Sequence, residues 1–212
     1  MHNLNKITKN MSGIVTLAGI ATVYLIGSSN VFAESVTTAT VSATVQNTFT
    51  LAETTALSFG TVRATNDNTN VSNFASLVLS PAGVLTPGSQ VGASKLTSLS
   101  AGTGGVFTVS GAATFTDLTV TFPANFTLTS PGAPPGSAVF NIIEANWVGK
   151  IVGGANDGVA LNGTFDNLQT DVNGAVVLNV GTTLDTDILG ASTTSGYLDA
   201  AYTGTYTMDI SY

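Results

Sequence analysis

Tyr202-Thr-Gly-Thr-Tyr-Thr-Met-Asp-Ile-Ser-Tyr212 alternates without a break to the final residue. On an extended chain successive side chains point to opposite faces, so Tyr202, Gly204, Tyr206, Met208, Ile210 and Tyr212 share one side and Thr203, Thr205, Thr207, Asp209 and Ser211 the other. The pattern predicts a C-terminal β-strand with one buried face. A strand in that place needs a sheet already built to receive it, and the rest of the chain is read with that demand in mind.

The second clean alternation lies at the other end. Ala39, Val41, Ala43, Val45, Phe49 and Leu51 are in phase, opposed by Thr40, Ser42, Thr44, Gln46, Thr48 and Thr50. Just before it, Lys6 and Lys9 precede an apolar run from Ile14 to Ile26, and Val31-Phe32-Ala33 follows with small or modest side chains where a signal peptidase looks. This predicts a signal peptide over residues 1–33, cut after Ala33, and a single domain over 34–212. A retained anchor would need roughly 20 apolar residues, more than this run supplies.

Between the two ends the apolar stretches are short and regularly punctuated. Leu57-Ser-Phe59-Gly60 starts a strand that stops at the Asn66-Asp-Asn-Thr-Asn70 cluster, and Phe74–Leu79 is followed by a loop carrying Pro81, Gly83, Pro87 and Gly88. Val106–Val109 and Ala112–Phe122 come next. In the latter the apolar phase moves from Ala113 and Phe115 to Leu118, Val120 and Phe122, which predicts a bulge near Thr116-Asp117. Pro131-Gly-Ala-Pro-Pro-Gly136 is a loop. Val139–Val148 reads as a strand around Trp147, Val159–Phe165 as another, and Ala175–Val180 is an apolar run before Gly181, Leu184 and a long loop. About ten strands at intervals of roughly 8–12 residues is the rhythm of an all-β sandwich or barrel.

Composition restricts the chemistry. The chain has no cysteine, and its only histidine, His2, lies in the signal, so Ser–His, Cys–His and histidine-metal sites have no residues to form them. Removal of Lys6 and Lys9 leaves Arg63, Lys95 and Lys150 against all 12 acidic residues, an unsuitable balance for nucleic acid. Asp185 and Asp187 form a possible carboxylate pair, more simply read as solvated at a strand end. The clusters Asn66-Asp67-Asn68-Asn70 and Asp171-Val-Asn173-Gly174 offer oxygen ligands for calcium but lack the spacing of a calcium loop, and turn formation accounts for them. No catalytic, cofactor-binding or metal-binding residue is expected, and the protein is not expected to be an enzyme.

Five motifs in order, Leu57-Ser-Phe-Gly-Thr61, Phe107-Thr-Val-Ser-Gly111, Leu118-Thr-Val-Thr-Phe-Pro123, Asn179-Val-Gly-Thr-Thr-Leu184 and Tyr202-Thr-Gly-Thr-Tyr206, resemble a domain of unknown function in secreted bacterial proteins. That family is similar to the major subunit of Mat/Ecp fimbriae and, more distantly, to spore coat protein U. The resemblance implies an immunoglobulin-like, pilin-like β-sandwich and a structural, non-catalytic fimbrial or pilus-like subunit at the bacterial surface, exported by the general secretory route. It implies self-association or other surface subunits as partners, a periplasmic chaperone among them, and no stable membrane insertion. Residues 34–46, with Val36, Ala39, Val41, Ala43 and Val45, stand where a pilin's donor strand would be. The alternative places Ala39–Leu51 as the first strand of its own domain. The chain departs from many chaperone–usher pilins in lacking a disulfide and in ending on its tyrosine. Two further readings stay open, a carbohydrate- or surface-binding adhesin using Tyr197 and Tyr202, and a small outer-membrane barrel.

Overall fold

The computed structural model describes Val45, residues 48–187 and residues 195–212. The described chain is built from antiparallel sheets, and its only helical element is one 3₁₀ turn, Glu144–Asn146. Fourteen strands replace the expected ten: β1 Thr50–Thr55, β2 Val62–Thr65, β3 Ala75–Leu79, β4 Leu85–Gln90, β5 Lys95–Ser98, β6 Gly105–Ser110, β7 Asp117–Thr121, β8 Phe126–Leu128, β9 Phe140–Ile142, β10 Val148–Ile151, β11 Leu168–Gln169, β12 Val176–Gly181, β13 Thr183–Thr186 and β14 Asp209–Ser211. They form sheets in the orders β1-β6-β12-β10, β4-β3-β13-β9-β8, β11-β7-β14 and β2-β5. The all-β expectation holds in this form. The layout is sandwich-like, since buried side chains from the larger sheets meet in one apolar cluster that includes Leu77, Val109, Leu118, Ile142, Leu178 and Leu184.

The path from Val176 to Thr186 organises these sheets. β12 and β13 are separated by Thr182 alone, and across that residue the neighbours change on both sides, from β6 to β3 and from β10 to β9. The Thr182 carbonyl accepts the Leu79 amide at 2.9 Å, so the backbone at the junction stays bonded. Gly181 makes the crossing possible, because a Cβ there would stand 2.1 Å from the Leu79 carbonyl oxygen. Thr183–Thr186, expected to open a long loop, is therefore a strand, and three of its four residues are buried. Asp185 and Asp187 are not solvated: both are buried, and Asp185 accepts a 2.6 Å hydrogen bond from the Ser76 hydroxyl on the neighbouring strand.

The predicted Val139–Val148 strand is split. β9 and β10 are separate ladders, and the 3₁₀ turn between them takes up the extra residues opposite the short Thr182 junction. The phase change before β7 is a turn rather than a bulge: Phe115 adopts φ 52°, its amide bonds the Asp171 carbonyl, and its ring is exposed. Pro87 and Gly88, expected in a loop, lie within β4, an edge strand where a missing amide donor is tolerated. Val159–Phe165 forms no strand of its own. Residues 158–161 cover the outer side of β10 through Ile151 N–H to Val159 O, Gly158 N–H to Ile151 O and Leu161 N–H to Gly149 O.

The C-terminal stretch differs most from its expectation. Only Asp209–Ser211 forms a ladder, with β7, and the earlier part touches a sheet at one bridge, Thr203 to Thr129 next to β8. The alternation has its predicted meaning in the middle of the segment, while Gly204 and the terminal Tyr212 are exposed. Tyr202, Tyr206, Met208 and Ile210 are partly or wholly buried, whereas Thr203, Thr205, Thr207, Asp209 and Ser211 are exposed. The segment passes from the edge of one sheet to the edge of another, its side chains anchored in the core while most of its backbone pairs with no strand.

Candidate functional site

β1 is six residues long, Thr-Leu-Ala-Glu-Thr-Thr, and among the described residues it pairs with β6 alone. The open side of an edge strand presents unpaired amides and carbonyls, and proteins usually protect such edges with Pro, Lys, bulges or a covering segment. Three other edges follow that rule. β4 carries Pro87 and Gly88, β10 is covered by residues 158–161, and the chain beside β11 bonds it through Ala155 N–H to Gln169 O. β1 has neither proline nor lysine, its register against β6 shifts between Glu53 and Thr55, and the carboxylate of its one charged residue, Glu53, accepts a 3.1 Å hydrogen bond from the Tyr206 hydroxyl.

The chain's two alternating ends meet beside this edge. The Phe49 ring, just before β1, packs edge-on against Tyr212 with centroids 5.4 Å apart, and the Tyr212 hydroxyl accepts the Ala113 amide at 3.2 Å. Phe49 and Leu51 join the domain's own core, whereas Val45 is 78% exposed. The predicted exchange residues Val36, Ala39, Val41 and Ala43 lie outside the described residues.

A second feature opens between the chain at residues 57–64 and the returning segment 197–206. It is a cleft of about 680 Å³ walled by Phe126, Phe140, Trp147, Tyr197, Tyr202 and Tyr206, with Leu57, Leu128, Ile142 and Leu184 between them. Tyr197 stacks on Phe140 at 4.4 Å, Tyr206 stacks on Phe126 at 5.7 Å, and Tyr202 meets Phe140 edge-on at 5.1 Å. Tyrosines 197 and 202, read in the sequence as an exposed sugar platform, thus belong to this wall, and their hydroxyls are engaged within the protein. Tyr197 Oη donates to Val139 O and accepts from Asp187 N, both at 2.8 Å, and Tyr202 Oη accepts from Leu198 N at 2.8 Å. Burial drives the Tyr197 and Tyr206 hydroxyls well above the ordinary tyrosine range.

The Asx clusters serve as loop supports. Asp67 Oδ1 accepts from the amide and hydroxyl of Thr69, and Oδ2 accepts from Ala93 N and Asn73 Nδ2, which hold its carboxyl below the usual range. Asp171 accepts from the amides of Ala175 and Asn173, with the same effect. Gly174, at φ 69°, closes that turn against Ala112, whose carbonyl oxygen would lie 1.9 Å from a Cβ. Among the described residues no group of three or more His, Cys, Asp or Glu could hold a metal ion. No described helix is long and apolar enough to cross a membrane.

Trp147, expected in the core, is 4% exposed. Nothing in the sequence points to the cleft itself, because its walls come from segments up to about 150 residues apart and each reads locally as an ordinary apolar position. No family model, curated protein or solved structure matches the chain.

Proposed function

We propose that the protein is a structural, non-catalytic subunit exported to the bacterial surface, an immunoglobulin-like, pilin-like sandwich that assembles by β-strand pairing. The observation that supports this reading is the side of β1 that pairs with no strand among the described residues, a six-residue edge beside a β4 edge that carries Pro87 and Gly88. A strand from another copy adding there would gain main-chain hydrogen bonds along the edge and register from alternate side chains. Val36, Ala39, Val41, Ala43 and Val45 have the alternation such a strand needs, and the order of motifs resembling the Mat/Ecp-type family agrees with that role. A Thr- and Ser-rich surface with few charges suits packed subunits, and a periplasmic chaperone would shield the edge before assembly.

The test is deletion of residues 34–46 with export through the native signal. Heat-labile oligomer ladders and filaments are expected from the full chain and not from the deletion. Assembly that persists without the segment rules out its donation. The adhesin alternative draws on Tyr197 and Tyr202, and the packing of both rings on Phe140 and on each other weighs against a sugar-stacking role for them.

A further inference from the structure

Protein interiors leave few voids larger than a water molecule, because an unfilled volume forfeits dispersion contacts on every wall. The cleft beside Trp147, at about 680 Å³, is far beyond that and falls within the range of small-molecule sites, roughly 300–1,000 Å³. Its charged lining residues, Arg63 and Asp199, are both exposed and stand at the mouth. Its interior is made of ring faces and aliphatic side chains.

Trp147 and Thr182 line the cleft with their apolar atoms, since Trp147 Nε1–H and Thr182 Oγ1 are closed off from solvent, the cleft included. The neighbouring tyrosine hydroxyls are occupied internally. The demand left to a ligand is therefore apolar surface against ring faces and aliphatic side chains. Sugars carry many hydroxyls and fit this demand poorly.

We propose that the cleft between residues 57–64 and 197–206 is a binding site for a neutral, ring-bearing apolar small molecule. This goes beyond the assembly reading and uses a different part of the molecule from the β1 edge.

Trp147 is the only tryptophan in the chain, so its fluorescence reports on this site alone. The probe is N-phenyl-1-naphthylamine, a neutral aromatic amine, titrated into the purified protein while Trp147 emission and probe emission are followed. The expected result is saturable quenching with one probe per chain. It should be weakened at least tenfold by Ala64→Phe, which fills the cleft from β2, and left unchanged by Val172→Phe on a remote exposed loop. Should Ala64→Phe lose cooperative thermal unfolding, Ala200→Leu on the cleft wall replaces it with the same expectation. Absence of saturable quenching, or equal binding by the filled variant, overturns the assignment. So does binding that disappears in step with oligomer formation, because a segment of a second copy would then be the occupant. Deletion of residues 34–46 does not read this site, so the two proposals fail separately.

Discussion

Residues 176–186 and 202–212 are eleven-residue segments with opposite characters. The second alternates perfectly and is laddered over three residues, whereas the first mixes Asn, Gly, Thr and Asp among its valines and leucines, is laddered at every position but Thr182 and is paired on both sides at 178–180 and 184–185. Alternation reports that one set of side chains is buried and the other is wet. Centrality in a sheet calls instead for burial on two faces and backbone partners on two edges, which erases the alternation. Asp185 is the sharpest case: its carboxylate is tolerated inside because Ser76, 109 residues away, meets it at 2.6 Å.

The largest expected effect lies in the central segment. Leu178→Ala, at a position 1% exposed, should lower unfolding free energy by about 2–5 kcal/mol in urea denaturation. A loss under about 1 kcal/mol would show that this strand is not the organising one. Gly181→Ala comes next, at about 1–3 kcal/mol, since the added methyl drives into the Leu79 carbonyl at the sheet crossing. An unchanged midpoint would mean the junction relaxes freely.

The third prediction concerns Asp185, whose burial raises its carboxyl above its ordinary unfolded value in spite of the Ser76 hydrogen bond. Its folded-state contribution is complete below that unfolded value and is lost as pH rises through the raised folded value, because the unfolded chain then holds fewer protons. Asp67, Asp166 and Asp171 are shifted down, so they act in the opposite sense, with stability lost as pH falls through their lowered values. Denaturation from acid to neutral pH should therefore show that Asp185→Asn gains relative to the parent as pH rises, the amide oxygen keeping the Ser76 partner. A constant difference across that window would remove the burial argument. The smallest effect belongs to the alternating tail. Tyr212→Phe deletes an exposed hydrogen bond to Ala113 and should change stability by no more than about 0.5 kcal/mol. A larger loss would place the tail among the organising elements.

The local vocabulary was legible in the residues. Pro131–Gly136 forms turns, Asp67 and Asp171 cap their own loops, and Trp147 is buried among Phe122, Tyr206 and the core. Each is settled within a few positions by turn chemistry or apolar character. Thr183–Thr186 was not legible, because its polar residues are paired with strands roughly 40 and 110 positions away. The cleft was missed for the same reason, since a volume enclosed by distant segments has no local signature.

The sequence by itself determined an all-β chain, the turns at Asp67, Pro131–Gly136 and Asp171, and the burial of Tyr202, Tyr206, Met208 and Ile210. Those properties follow from φ preference, Asx and Pro chemistry and the two-residue period of an extended backbone. Only the tertiary structure decided that the tail crosses between sheets, that β1 pairs with β6 alone among the described residues and that residues 176–186 hold two sheets together. Such outcomes depend on which backbone donors find partners far along the chain, and neither period nor composition encodes that choice.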